Sequence, residues 1–388
     1  ASAEPTAYIA CYPKVVNILE RAVYNQDIPE AWKYYGIPNP WLQMKLLRVL
    51  QYFPPPEDPA IRRQLFETVL STILNETEVV KNVNKNNAIH AILFEAIATV
   101  MHLDAQQELT TVCVALLGKF INVREPNIRY LGLEYMSRVA IIPELLHNVQ
   151  AHQAKIVSAL NDPDISIRKR AMDLIFSMCD ESNAQEIVRE LLEYLPVAEF
   201  SLREELSLKM AILAERFAVD KKWYIKVILE LIDKAGDFVA EDIWFAVVQV
   251  VTTDDELHAY AARSVFRYLK KGQAHEVMVK LCAYILGEFG HTLDVPLHSQ
   301  FDILHERFPT VSLPGRAIMM SAYAKMLIHA PQDSAYSEFR ANVEAVFHKH
   351  ENMIDAEIQQ RSIEYLALTG KVDSDPKMPK YILGEMPK

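Results

Sequence analysis

The sequence predicts an all-α protein, a HEAT- or armadillo-like α-solenoid of about nine pairs of antiparallel helices that curves into a superhelix. Three observations predict this fold class. Only 10 of the 388 residues are glycine although 51% are hydrophobic, which leaves little material for the tight turns of β-hairpins. Apolar residues recur at helical rather than alternating spacing. One such helical pattern also returns about every 40 residues, a period typical of paired-helix repeats.

Each repeat is marked by an anchor residue, which is Leu, Ile or Val in eight of nine cases and the weaker Asn87 in the ninth. Mostly small and apolar residues follow the anchor four and five positions later. The pattern is clearest at Ile128 and Ile167, which are each followed by an arginine. Spacings of 34 to 45 residues separate the nine anchors, which are Leu42, Asn87, Ile128, Ile167, Leu202, Val239, Val279, Leu313 and Ile358. Because positions i, i+4 and i+5 share one face of a helix, each anchor predicts the second helix of a repeat. The alternative, a large irregular helical domain, would not be expected to give nine matches.

Residues that suit the start of a helix stand three positions before most anchors. These positions hold Asn39, Asn84, Glu125, Asp164, Glu199, Gly236, Glu276, Thr310 and Asp355. Most of them can accept hydrogen bonds from free N–H groups or favour the positive end of the helix dipole. Helical stretches at 62–74, 109–120, 187–195 and 223–232 predict first helices of repeats. Loops are predicted at 53–59, which holds four prolines, and at 80–87, which holds four asparagines.

No stretch has the composition of a domain linker, so residues 1–388 are predicted to form a single continuous solenoid. The segment 371–388 contains Pro376, Pro379 and Pro387 and is expected to be irregular. The chain begins with Ala1 and runs almost directly into a helical pattern. We therefore expect it to be a piece of a longer protein.

Composition excludes several classes of function. Forty Lys and Arg against 51 Asp and Glu give a net charge of −11, which argues against a sequence-independent grip on nucleic acid. The four cysteines lie far apart and form no CxxC pair, which indicates a reducing, cytoplasmic environment. The longest stretches without a charged residue have 11 residues, whereas a membrane span needs about 20.

No constellation of residues indicates catalysis. The sequence has no HExxH, no CxxC, no Walker motif and no GxSxG. The polar stripe His291, Asp294, His298, Asp302 and His305 has a spacing that could hold a metal on one helix, but Pro296 interrupts it, and a solvated face is the simpler interpretation. We therefore predict that the protein is not an enzyme and has no cofactor and no metal.

An array of helix pairs instead offers an extended surface for other proteins. The second helices are predicted to carry this surface, at positions two, three or six residues after an anchor and off the buried stripe. These candidate partner-facing residues are Lys45, Arg48, Tyr130, Glu134, Lys169, Arg170, Asp173 and Glu205. For any single one of them, plain solvated surface is the alternative.

Three arginines near the starts of second helices have a different expected role. Each follows an acidic residue by four positions, in the pairs Glu125 and Arg129, Asp164 and Arg168, and Glu199 and Arg203. We expect these residues to join adjacent repeats rather than to bind a ligand.

Several runs of residues are more specific than the period. They are 34–51, which contains PWLQMKLLRVLQ, then PPPEDP at 54–59, NIRYLGLE at 127–134, MCDESNA at 178–184, KMAILAE at 209–215, YILGEFG at 284–290 and EYL at 364–366. Together they resemble the large-chain family of the clathrin adaptors, the adaptins, and within it the alpha-adaptins of the plasma-membrane adaptor. The resemblance spans roughly residues 34–368.

The resemblance implies the C-terminal half of a helical trunk that acts as a scaffold in a heterotetramer with a beta-type large chain, a medium chain and a small chain. It implies a role in clathrin-mediated endocytosis and vesicle transport, at clathrin-coated pits of the plasma membrane. Clathrin and accessory proteins are expected to meet the chain through the full complex. In the family, the phosphoinositide patch lies in the other half of the trunk. No lipid or cargo residue is therefore carried over, and no direct membrane binding is expected of this chain.

Two alternatives remain at this level. The chain could be the large chain of another coat adaptor, such as the gamma type of the Golgi adaptor. It could also be an importin-like HEAT-repeat transport protein, which would be similarly acidic and helical, although nothing in such proteins resembles the run from Pro40 to Pro59.

Overall fold

The structure is a computed structural model of the chain. It describes residues 5–26, 28–75, 82–103, 107–272, 274–372, 375 and 377–384. The chain divides into two compact units, residues 1–178 and residues 179–388. One continuous solenoid over residues 1–388 stays a prediction.

Apart from one short hairpin, the described part of the first unit is organised in helices and the segments that connect them. Its helices are α1 (Tyr12–Val23), α2 (Pro40–Leu50), α3 (Pro59–Arg63), α4 (Ser71–Asn75), α5 (Val83–His102), α6 (Gln107–Phe120), α7 (Pro126–Val139), α8 (Pro143–Gln150), α9 (Gln153–Ser158) and α10 (Ile165–Met178). A π-helical segment, Gln64–Leu70, joins α3 to α4. Short 3₁₀ turns occupy Pro5–Cys11, Glu30–Trp32 and Ala159–Asn161.

The second unit is helical throughout its described residues. Its helices are α11 (Ala184–Tyr194), α12 (Phe200–Arg216), α13 (Lys221–Ala235), α14 (Glu241–Thr253), α15 (His258–Lys270), α16 (Glu276–Phe289), α17 (Leu297–His305), α18 (Leu313–His329), α19 (Tyr336–His350), α20 (Ala356–Thr369) and α21 (Lys377–Ile382). Its 3₁₀ turns are Leu195–Val197, Gly236–Phe238, Asp255–Leu257, Gly290–Thr292 and Phe308–Thr310.

The helices of each unit form consecutive pairs that pack against each other, as in HEAT and armadillo repeats. In the first unit α1 packs on α2, α4 on α5, α6 on α7, and α8 and α9 on α10. In the second unit α11 packs on α12, α13 on α14, α15 on α16, α17 on α18, and α19 on α20. Within the described residues this makes nine pairs, and the predicted fold class is confirmed.

Eight of the nine anchors lie in second helices, whereas Val239 lies two residues before α14, and most of the anchors are core residues. The six with at most 6% exposure are Ile128, Ile167, Leu202, Val239, Val279 and Ile358. Three anchors are wrong as core positions, since Leu42 and Leu313 are 39% and 38% exposed and Asn87 is exposed as well. Leu313 is the first residue of α18, where a side chain still lies outside the packed turns. In α2 the buried side chains include Gln43 and Leu47 instead, which shifts the inner face away from Leu42.

The predicted column of helix starts is partly correct. The carboxylates of Asp164 and Asp355 accept hydrogen bonds from backbone N–H groups in the first turn of the following helix, from Ser166 at 2.8 Å and from Ile358 at 3.0 Å.

The loop predicted at 80–87 is wrong from Val83 onward, because α5 begins there. Its cap is the side chain of Asn82, which accepts from the N–H of Lys85 at 3.1 Å. Residues 80 and 81 lie outside the described residues.

A small hairpin lies at the start of the run 34–51. Strands β1 (Lys33–Tyr34) and β2 (Ile37–Pro38) pair antiparallel. The two residues between them, Tyr35 and Gly36, both have positive φ, 47° and 81°. This is the geometry of a two-residue turn that matches the twist of the strands.

The expectation of an irregular segment at 371–388 is wrong for Lys377–Ile382, which form α21. Pro379 is the third residue of this helix, where its missing N–H removes no hydrogen bond within the helix. Pro379 and Leu383 are both buried, so packing holds the segment in place. The ammonium group of Lys325 pairs with the buried carboxylate of Glu288 and donates to a carbonyl just beyond α21. Residues 373, 374, 376 and 385–388 lie outside the described residues.

Candidate partner-binding site

Four of the eight candidate residues lie together in a groove between α7 and α10, two second helices that pack side by side in the first unit. Because Ile128 and Ile167 are buried, the residues two, three and six positions further along lie at the border between the core and solvent. The groove has a volume of about 490 Å³. It is lined by Pro126, Asn127, Tyr130, Asp164, Ser166, Lys169, Arg170 and Asp173.

A contact between Tyr130 and Arg170 forms the centre of this groove. The hydroxyl oxygen of Tyr130 accepts hydrogen bonds from Nε and Nη2 of Arg170, at 2.9 and 2.7 Å. The guanidinium carbon lies 5.0 Å from the centroid of the Tyr130 ring, within the range of a cation–π interaction. The hydrogen bond to Tyr130 raises the pKa of Arg170. The two side chains therefore fix each other in one geometry.

The groove carries both signs of charge. Lys169 and Arg170 share it with the carboxylates of Asp164 and Asp173, and Arg170 Nη1 lies 3.9 Å from Asp173 Oδ2. Such a surface suits a folded partner with complementary positive and negative groups better than a uniformly charged ligand. Sequence reasoning missed Asn127 and Ser166, which line the groove because both stand in the first turn of their helices.

The candidates on α2 lie elsewhere in the first unit. Arg48 Nη2 is 2.7 Å from Oε2 of Glu95, a buried carboxylate of α5 that also accepts a hydrogen bond from Gln51 at 2.8 Å. Arg48 therefore connects two repeats. The hydrogen bond to Glu95 raises the pKa of Arg48. Lys45 is exposed on the same helix.

The last two candidates each form an ion pair within their own helix. Glu134 binds Arg138 one turn along α7, at 2.7 Å. Glu205 binds Lys209 one turn along α12, at 3.2 Å. Glu205 is in the second unit, so the structure does not group it with the groove.

The arginines predicted to join repeats behave in different ways. Arg129 reaches Asp162, in the segment before the next second helix, and so joins two repeats. Arg203 instead donates to the carbonyl oxygens of Ala198 and Pro196, within its own repeat, at 3.0 and 2.9 Å. Arg168 is half-buried. The carboxylate that Arg129 binds is that of Asp162 and not that of Glu125, the residue four positions earlier that the sequence indicated.

The described residues hold no group of three or more His, Cys, Asp or Glu side chains placed to bind a metal ion. Burial raises the pKa of the Cys113 and Cys179 thiols to about 12, which leaves both protonated and weakly nucleophilic at neutral pH. In the part of the chain that the structure describes, the helices are too short or too polar to cross a membrane.

Comparisons with known proteins identify the family of the chain. The profile of the family described as the Adaptin N terminal region matches residues 2–373. The AP-2 complex subunits alpha-1 and alpha-2 of Arabidopsis thaliana are each 57% identical to the chain over 384 residues, which are 97% of this chain and 38% of those proteins. The AP-1 complex subunit gamma of Dictyostelium discoideum is 30% identical over 393 residues, or 97% of this chain and 42% of that protein.

A solved structure resembles the fold. It is described as a homology model of the full-length AP-3 complex in an intermediate open conformation, and the match has a TM-score of 0.63 at 16% sequence identity. It covers 98% of this chain and 69% of the matched chain. At this identity the likeness shows the fold alone. The chain spans about 38% of the length of the alpha subunits that it matches.

Proposed function

Because this chain belongs to the adaptin N-terminal region family, we propose that it is a segment of the alpha-type large subunit of an AP-2 complex and acts there as a scaffold for other adaptor chains. The observation that carries the proposal is the 57% identity to AP-2 alpha subunits over 97% of the chain. The expected partners are a beta-type large chain, a medium chain and a small chain. Clathrin and accessory proteins would meet the segment only through the complete complex.

The structure supports a scaffold in two ways. Paired helices hold the second helices in register, so side chains 40 residues apart, such as Tyr130 and Arg170, meet on one surface. The groove that they form carries both signs of charge and two fixed side chains. Association with such a surface requires little ordering of the scaffold, which favours affinity. The proposed role involves no chemical reaction and no cofactor.

The proposed location follows from the same assignment. As part of an alpha-type subunit, the chain would act in the cytoplasm and would reach clathrin-coated pits at the plasma membrane through the complete complex. The gamma-type alternative is weaker, because the identity to an AP-1 gamma subunit is 30% against 57% for the alpha subunits.

A chimeric subunit tests the proposal. The 388 residues replace the matching segment of the Arabidopsis thaliana AP-2 complex subunit alpha-1, and the chimera is expressed with the beta-type, medium and small chains. We expect one complex with all four chains on size-exclusion chromatography, as with the unmodified subunit. A chimera that folds but elutes without its partners would contradict the proposal. Preferential assembly with the Golgi-type partners, when both sets are supplied, would favour the gamma type.

A further inference from the structure

A second cavity, of about 600 Å³, lies in the second unit between the ends of α17 and α19 and the first turn of α18. Phe301 and Phe308, which are buried, form its aromatic wall, and the exposed Ala345 lies on α19 at its rim. Arg316 and Lys349 bring positive charge to it. We refer to it as the Arg316 cavity. Its volume falls within the range of about 300–1,000 Å³ that is usual for ligand sites.

Arg316 is held firmly in this cavity. Its Nε donates to the carbonyl oxygen of Phe308 at 3.1 Å, and its Nη2 donates to that of Pro309 at 3.0 Å. Its guanidinium carbon also lies 5.5 Å from the centroid of the Phe308 ring. Among the described residues, Nη1 donates to no acceptor. The guanidinium is thus fixed in place with an unused pair of N–H donors, and binding a ligand would immobilise little further side-chain freedom.

An arginine of the first unit, Arg129, binds two carbonyl oxygens and, in addition, a carboxylate. Arg129 is the fourth residue of α7, as Arg316 is the fourth residue of α18. Arg129 also donates to two carbonyl oxygens that precede its helix, those of Val123 and Arg124, through Nη1 at 3.0 and 2.8 Å. Its remaining nitrogens, Nε and Nη2, bind both carboxylate oxygens of Asp162. Arg316 differs in that its carbonyl contacts use Nε and Nη2, which leaves Nη1 for a further acceptor. Arg129 nevertheless shows that a carboxylate can bind a guanidinium that two such carbonyl oxygens already hold.

Within the described ranges of the chain, no carboxylate binds Arg316. Asp162 stands three residues before α10, and the corresponding position before α20 is Met353. Among the residues that line the Arg316 cavity, Asp302 is the single carboxylate against the two cations Arg316 and Lys349. The cavity is thus locally positive on a chain whose net charge is −11.

We propose that the Arg316 cavity binds a short acidic peptide segment of a partner protein, in which one carboxylate pairs with Arg316 and Lys349 and a neighbouring apolar side chain packs against Phe308 and Ala345. The free Nη1 donors of the fixed guanidinium and the ammonium group of Lys349 can both form charge-assisted hydrogen bonds with one carboxylate. The aromatic wall favours a peptide over a phosphoinositide headgroup, because a headgroup has no apolar part to bury there and needs several cations that converge. This inference does not depend on the proposed assembly with adaptor chains.

Fluorescence anisotropy with the complete 388-residue chain tests the proposal. The probes are fluorescein-labelled nonapeptides in which two aspartates flank a phenylalanine or a leucine, and matched peptides carry asparagine instead of aspartate. We expect the aspartate peptides to bind roughly tenfold more tightly, since a hydrogen-bonded charge pair is lost in the matched set. Inositol hexakisphosphate and vesicles of phosphatidylcholine with 5% phosphatidylinositol bisphosphate are tested in parallel, at a content chosen as roughly physiological.

Two variants locate the binding. Arg316→Gln removes the fixed guanidinium, and Ala345→Trp fills the cavity from an exposed position without removing a core contact. Both are expected to weaken binding of the aspartate peptides roughly tenfold or more. Arg203→Gln is the matched control, because Arg203 donates to two carbonyl oxygens in the same way outside the cavity. It is expected to leave the affinity unchanged, and Ala345→Trp is expected to leave assembly with adaptor chains unchanged.

Several results would overturn the inference. They are equal binding of the asparagine peptides, binding that survives both variants, and absence of binding to every aspartate peptide at millimolar concentration. Binding of the phosphoinositide vesicles or of inositol hexakisphosphate that is lost in Arg316→Gln, while the peptides fail to bind, would assign the cavity to a phosphate ligand instead.

Discussion

The guanidinium of Arg129 in α7 forms two hydrogen bonds with the carboxylate of Asp162, at 2.8 and 3.1 Å. Asp162 belongs to the segment that leads into the next second helix, α10. The two side chains are only 16% and 9% exposed. This ion pair therefore fixes the register between two consecutive repeats, and it does so directly beside the groove that contains Tyr130 and Arg170.

Removal of this arginine is expected to destabilise the first unit. Arg129→Met leaves Asp162 as a largely buried charge without its partner, which should lower the free energy of unfolding by about 2–3 kcal/mol. Urea unfolding followed by circular dichroism measures the change. Arg189→Met is the control, because its contact with Glu186 is 3.8 Å long and exposed. Equal unfolding midpoints for both variants would mean that the Arg129 pair contributes nothing to stability.

Loss of the cap at Asp164 should have a smaller effect. Its carboxylate accepts the N–H of Ser166 at 2.8 Å, so Asp164→Ala should lower the free energy of unfolding by about 1 kcal/mol, the usual loss for a helix cap. The same substitution at Asp294, an exposed loop residue, provides the control. An unchanged thermal midpoint for Asp164→Ala would show that this hydrogen bond does not stabilise α10.

Much of the fold could be predicted because the helical pattern is local. The apolar spacing at Ile167 or Leu202 depends on residues within two turns, and the structure places a second helix at each. The errors arise where contacts between distant residues, rather than local spacing, determine whether a segment is helical. Burial of Pro379 and Leu383 holds α21 in a stretch whose prolines suggested irregular chain.

The candidate site could be predicted only in part, for a related reason. The sequence paired Arg129 with Glu125, four residues away, whereas the structure pairs it with Asp162, 33 residues away. The sequence predicted that Tyr130 and Arg170 both lie on the surface, but it did not predict that they contact each other. Their separation of 40 residues matches the repeat period. Equivalent positions of consecutive repeats are neighbours in space, and this signal could have revealed the groove.

Stability is expected to fall as the pH is lowered from about 7.5 to about 5.5, because histidines buried as neutral groups resist protonation. Burial lowers the pKa of His90, His152 and His305. The unfolded chain takes up protons near pH 6.5, the ordinary histidine pKa, while the folded chain does so only at lower pH. The stabilisation is thus complete above that pH and is lost below it, by at most about 1.4 kcal/mol per pH unit for each histidine.

His305 offers a direct check of this pH dependence. Its Nδ1 lies 3.3 Å from the hydroxyl of Tyr323, and the charged groups near it are Lys349, Asp302 and His350. The variant His305→Gln should lose part of the difference between the unfolding midpoints at pH 7.5 and pH 5.5, whereas His348→Gln, at an exposed position, should keep all of it. A chain that is equally stable at both pH values would refute the prediction.

The chain alone is expected not to bind phosphoinositide membranes. Each basic residue near an anionic surface contributes about 1 kcal/mol, so several must converge. Residues 168–170 form the densest basic run, yet Asp164 and Asp173 share the groove with Lys169 and Arg170. The Lys pairs at 221–222 and 270–271 each include a lysine bound to an aspartate, at 2.7 and 3.1 Å.

Liposome co-sedimentation at near-physiological salt measures this, with and without phosphatidylinositol bisphosphate. We expect the chain to stay in the supernatant in both cases. Headgroup-dependent pelleting that disappears when residues 168–170 are changed to glutamine would reveal a lipid site on α10.

The groove between α7 and α10 is expected to contribute to assembly. The double variant Lys169→Glu and Arg170→Glu reverses both of its positive charges and breaks the contact with Tyr130. Partner binding should weaken while helical content measured by circular dichroism stays the same. The control is the double variant Lys226→Glu and Lys270→Glu, which makes the same change of charge at two exposed lysines of the second unit. Unfolding of the groove variant would show that the assigned surface is part of the core.

Affinity capture from cell lysate followed by quantitative mass spectrometry tests whether the chain is a scaffold for adaptor chains, with the tagged 388-residue chain, the groove variant and the control variant as baits. We expect the unmodified chain and the control to enrich the beta-type, medium and small chains of the plasma-membrane adaptor, and the groove variant to recover less of each. Enrichment of nuclear transport cargo, or of Golgi-type adaptor chains without the plasma-membrane medium chain, would contradict it.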